Sequence, residues 1–97
     1  METYIILGNY TQQGVEKIKE SPGRIKDAIA ATENAGGKWL GWWLTMGRYD
    51  FVVMTQLPSA EVVATILLAT GALGNVRTET LRAFTADEFA NLVDGMP

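Results

Sequence analysis

The sequence predicts a ferredoxin-like α+β sandwich, βαββαβ with a further C-terminal helix. Three observations predict it. Apolar strand-like runs alternate with stretches of helical periodicity, two adjacent runs flank a glycine-led turn, and the last segment opens with a complete helix-start signal. One four-stranded antiparallel sheet ordered 4-1-3-2 follows, with both long helices on one face.

The first element, "TYIILGNY" (3–10), is rich in β-branched and aromatic residues and reads as a strand; "TQQG" (11–14) is a loop. A short helical turn over 14–20 leads to a kink and then a main helix from 22 to 35. There Ile25, Ala28, Ile29, Thr32 and Ala35 recur on one side, and Ser21-Pro22 stand at the N-cap and first helical positions. Gly36-Gly37 stop this helix. "KWLGWWLTM" and "YDFVVMTQL" are two strands joined by Gly47-Arg48, a type II′ turn. "PSAEVVATILLATGALG" (58–74) is the second helix, capped by Ser59, with Glu61 at its positive end and Gly71 at its stop. "NVRTETLRAF" (75–84) is the fourth strand. Thr85 and Glu88 then form a capping box, with Phe84 placed to staple on Phe89.

Composition narrows the chemistry. The 97 residues make one domain, 47% apolar and 20% charged, with a net charge of −3 and no basic run, which argues against nucleic acid and anionic membranes as partners. No cysteine and no histidine are present, so thiolate nucleophiles, zinc–sulfur sites and imidazole bases are excluded, and no cofactor or metal is predicted. No apolar run is long enough to span a bilayer, and the opening segment lacks a basic n-region; a cytoplasmic protein is expected. The glycines of "GALGNV" follow a helix rather than precede one, so they read as a connecting turn and not a phosphate cradle. Arg77 and Arg82 read equally as anion ligands or as charges guarding an edge strand.

The hairpin divides its residues between two faces. With Gly47-Arg48 as loop, Thr45 opposes Asp50, Trp43 opposes Val52, Gly41 opposes Met54, and Trp39 opposes Gln56. One face then carries Leu40, Trp42, Leu44, Met46, Tyr49, Phe51, Val53 and Thr55 and packs beneath the helices. The other carries Trp39, Trp43, Thr45, Asp50, Val52, Met54 and Gln56. Two tryptophans on an uncovered face imply a homo-oligomer, most simply a dimer with sheets face to face, with a cleft for a small apolar or aromatic ligand. Trp39, Trp43 and Met54 would wall that cleft, with Thr45, Asp50 and Thr78 as polar contacts. Asp50 has two readings: a general base with Tyr10 as hydrogen-bond donor, or a structural anchor for the hairpin.

"MGRYDFVVM", the Pro58-Ser59 helix start and "GNVRTETLRAFT", together with "TYIILGNYTQQGVEKIKESPGR", resemble the GYD domain family, its glycine–tyrosine–aspartate motif carried by Gly47, Tyr49 and Asp50. The resemblance spans residues 3 to about 89. It implies a ferredoxin-like fold of the dimeric α/β-barrel group and brings no assigned activity. Family members often carry a glutamate shortly before the proline; here Gln56 and Leu57 stand there. Two functions follow as expectations: an oligomeric binding or interaction module, or a cofactor-independent oxygenase- or isomerase-type enzyme with Asp50 as base.

Overall fold

The computed structural model describes residues 1–97. Its elements are β1 (Glu2–Tyr10), α1 (Gln12–Glu16), a 3₁₀ turn (Ile18–Glu20), α2 (Ser21–Asn34), β2 (Lys38–Leu44), β3 (Phe51–Leu57), α3 (Ala60–Ala72), β4 (Val76–Ala83) and α4 (Ala86–Asp94). The four strands form one antiparallel sheet ordered β2-β3-β1-β4, as expected, with α2 and α3 on one face.

The sequence signals set most boundaries. Ser59 Oγ accepts from the Val62 amide to start α3, and Thr85 and Glu88 close a reciprocal capping box at α4. Three local expectations change. The residues of "TQQG" begin a helix, because Thr11 Oγ1 accepts from the Gly14 amide and caps it. Ser21 is not a cap; it lies inside the first turn of α2, and its hydroxyl instead meets Tyr10 Oη at 2.7 Å. α3 runs through Gly71 and ends before Gly74, whose φ of +81° suits glycine.

The sheet's inner face carries the core. Tyr4, Leu57 and Val63 form one buried cluster; Ile6, Phe51 and Val53 form another, against which Trp39 and Trp42 pack. Phe51 reaches its place because residue 8 is glycine: a Cβ there would lie 2.0 Å from the Phe51 ring. Trp42 stacks on Phe51 at 5.6 Å between centroids.

The hairpin corrects the expected faces. Register is as expected from Leu44↔Phe51 to Gly41↔Met54, then shifts by one, so that Trp39 opposes Thr55 and Lys38 opposes Gln56. Leu40 is the extra residue of a β-bulge and is exposed, not core. Because side chains alternate along a strand, this one insertion carries Trp39 from the outer face to the inner one. Trp39 and Trp43 therefore face opposite sides of the sheet. The turn also differs: the strands stop at Leu44 and resume at Phe51, leaving 45–50 as a longer connection with Gly47 at φ +122°. Leu44 and Met46, expected beneath the helices, are exposed. Tyr49 turns outward, not toward the helices, and its hydroxyl donates to the Glu79 carboxylate.

Candidate functional site

Asp50 sits where β1 and the hairpin meet. Its Oδ2 accepts from the Tyr10 backbone amide at 2.9 Å, while its own amide donates to Gly8 O at 2.8 Å and lies 3.2 Å from Asn9 Oδ1. Thr45 amide donates to Asp50 O, and Thr45 Oγ1 donates to Tyr49 O. The acid at the start of an apolar strand thus ties the hairpin to the end of β1, where the neighbouring strand has no ladder partner left to offer. The Tyr10 phenol points away from this cluster, to Ser21 at the start of α2. The Asp50 carboxylate is engaged by the Tyr10 amide, and the Tyr10 hydroxyl is not aimed at it. Tyr49 is likewise held as a phenol: its hydrogen bond to Glu79 pushes its pKa up from the ordinary tyrosine value.

The residues expected to share a ligand cleft divide between the two faces. Trp43 and Met54 lie on the outer face, where the Trp43 ring folds over Gly41, a Cβ on which would come within 2.5 Å of it. Trp39 and Thr78, with Tyr10, belong to the inner face. Asp50 and Thr45 sit at the hairpin end between them.

The cavity is on the inner face. α2 lies against β2, and α3 lies against β3 and β4; the two helices do not pack closely on each other. Between them opens a space of about 510 Å³, floored by Trp42, Phe51 and Val53 and walled by Ala28 and Ile66, with Arg24 at its rim. This volume falls within the range of small-molecule sites, roughly 300–1,000 Å³. The lining is largely hydrophobic. Thr55 also lines it; its side chain is 1% exposed and its hydroxyl has no hydrogen-bond partner. Such a group carries a desolvation cost, and its oxygen is shielded from the cavity.

Of the expected site residues Tyr10, Trp39 and Thr78 line this cavity, but its place between the helices and the sheet was not expected, although a signal existed. The helix positions that face the gap include Ala28, Ala31, Thr65 and Ala69, side chains too short to meet across it. Alanine reads as helix-forming, and its failure to fill space shows only once the helices are placed. No group of three or more acidic, histidine or cysteine side chains converges anywhere in the chain, and no helix is long and apolar enough to cross a membrane.

Comparison with known proteins agrees with this architecture. The "Glutamine synthetase and cystathionine beta-lyase binding protein" of Thermus thermophilus is 34% identical over 94 residues, covering 95% of this chain and 99% of that protein. The crystal structure of TTHA0845, also from Thermus thermophilus, superposes with a TM-score of 0.51 at 25% identity, covering 89% of this chain and 96% of that one. Residues 4–93 match the GYD domain, so the chain belongs to the GYD domain family.

Proposed function

We propose that this protein is a cytoplasmic, oligomeric binding module that holds a small apolar or aromatic molecule between its helices and the inner face of its sheet. The observation that carries this reading is the cavity of about 510 Å³. The cavity is open to solvent on one side, and its apolar lining offers entering water few hydrogen bonds. An apolar guest suits such a lining better than water does. The aromatic floor of Trp42 and Phe51 supports a planar ligand.

Pairing of copies through the outer face belongs to the same reading. Trp43 is 50% exposed there and Leu81 42%, beside half-buried Ile5, Leu7, Val52 and Met54. A second reading, docking on a metabolic enzyme, is supported by the name of the Thermus relative and its near full-length match. The enzyme alternative with Asp50 as base has less support, since that carboxylate is already engaged by the Tyr10 amide.

The test is titration with N-phenyl-1-naphthylamine, a neutral apolar fluorophore. The expected result is a saturable rise with one probe per chain, accompanied by quenching of tryptophan emission that Trp42→Phe reduces and Trp43→Phe does not. Absence of saturable binding, or quenching that depends on Trp43 alone, overturns the inner-face site.

A further inference from the structure

The polar groups of the inner cavity are not spread evenly along it. Its lining runs from Leu57 and Val63, at the end of the sheet where β1 begins, to Tyr10 and Asn75, at the end where β1 finishes. Toward the first end the hydroxyls are spent. Thr32 and Thr65 donate to Ala28 O and Glu61 O of their own helices, and the Thr55 oxygen is shielded. At the second end Tyr10, Ser21, Arg24 and Asn75 gather, all of them in the lining.

Each of these has hydrogen-bonding capacity to spare. Tyr10 Oη and Ser21 Oγ lie 2.7 Å apart. One hydrogen joins them, and whichever hydroxyl donates it, the hydrogen of the other has no acceptor in the chain. Ser21 is 7% exposed, so bulk water reaches the pair poorly from that side. Asn75 is 8% exposed; its Oδ1 accepts from Gln13 at 3.0 Å and its amide nitrogen is left unused. Arg24 stands one helical turn after Ser21, on the same side of α2. One of its terminal nitrogens donates to Lys17 O at 3.2 Å, which holds the guanidinium at the rim. The rest of the fork has no anionic partner, since the chain's one salt bridge is Arg82–Glu2.

We propose that this end of the cavity holds a carboxylate, so that the ligand is an aromatic monocarboxylate with its ring on Trp42 and Phe51 and its acid group toward Arg24. This rests on the inner-face binding reading above and adds the ligand's charge and orientation. The spare groups are donors, and a carboxylate accepts on both oxygens. The planar guanidinium matches the carboxylate's geometry. A single cation suits a single negative charge, whereas a phosphate ester carries nearly two. Asp27 is the other charged residue of the lining. It is exposed while Arg24 is half-buried, so solvent screens the acid more than the guanidinium and the cavity end favours an anion.

Isothermal titration calorimetry of the full chain with 2-naphthoate and with its neutral amide, 2-naphthamide, tests this. The two share their ring and shape, so the ratio of their affinities reads the head group. Naphthoate is expected to bind roughly tenfold more tightly, as a charge-assisted contact at a half-exposed site allows. Arg24→Met keeps the apolar stem and is expected to bring the ratio close to one, with Arg24→Lys restoring part of it. Asp27→Asn changes an exposed side chain and is expected to raise the ratio several-fold. Circular dichroism confirms the fold of each variant. Equal affinities in the parent, or a ratio that Arg24→Met and Asp27→Asn both leave as it stands, overturns the carboxylate site while N-phenyl-1-naphthylamine still reports the cavity. A chain that takes up none of the three compounds overturns the cavity reading as well.

Discussion

Replacing Ala28 by leucine puts three more carbons into the gap between α2 and α3. Ala28 is half-buried on the cavity wall, and leucine is nearly as good a helix former as alanine, so the helix itself is little affected. At ~0.8 kcal/mol per buried methylene the gain would be about 2 kcal/mol. The cavity opens to solvent on one side, so burial is partial and about 1–2 kcal/mol is expected. For a chain of this length each kcal/mol raises Tm by about 4–8 °C, so differential scanning calorimetry should find an increase of several degrees. The same side chain occupies ligand space, and N-phenyl-1-naphthylamine affinity should fall about tenfold or more, a change of ~1.4 kcal/mol. A lowered Tm would refute the reasoning. Overpacking costs about 1–3 kcal/mol, and that sign would mean that the helices close on each other in solution and leave no room.

Other substitutions separate the remaining roles. Thr55→Val removes a buried hydroxyl without a partner and should raise urea stability of the ligand-free chain by about 1–3 kcal/mol; unchanged or lowered stability would show that the hydroxyl is satisfied in solution. Asp50→Ala removes the acceptor for the Tyr10 amide and should cost about 1.5–3 kcal/mol in the same assay; unchanged stability would rule out the anchor. At α4, the Thr85 amide holds the Glu88 carboxyl below the usual range. Its folded pKa is depressed, so its contribution is present above the ordinary glutamate value, ~4.3, and is lost as pH falls through the folded value. Far-UV circular dichroism should lose helix signal over that acid window, and Glu88→Gln should flatten the loss.

The strand order, the two later helices and their caps were legible because each rests on local chemistry, whereas the sequence reads Thr11, a cap, as loop and makes a cap of Ser21, which is not one. Thr85 with Glu88, Ser59 before Val62 and the apolar alternation of β3 act within a few residues of themselves. The hairpin was legible only as far as Gly41. Nothing between Lys38 and Gly41 announces that Leu40 will be left unpaired, because the bulge is settled by which indole the core can take. Trp39 packs against Ile6, Phe51 and Val53, and only a skipped residue brings it there. The role of Asp50 was legible as two alternatives; its partner lies 40 residues away, across a junction that pattern alone does not draw. The cavity was the least legible feature, since empty space is made by side chains that stop short, and Ala28 and Ala69 look ordinary in sequence.

Val52 and Val53 are neighbours in the chain on opposite faces of the sheet, and they offer the most direct test of the inner-face site. Methyl-resolved NMR of chain labelled at Ala, Ile, Val and Met, titrated with N-phenyl-1-naphthylamine, should shift Ala28, Val53 and Ile66 together, saturating at one probe per chain, while Ile5, Val52 and Met54 stay in place. Shifts confined to Ile5, Val52 and Met54 would put the ligand on the outer face and contradict the account.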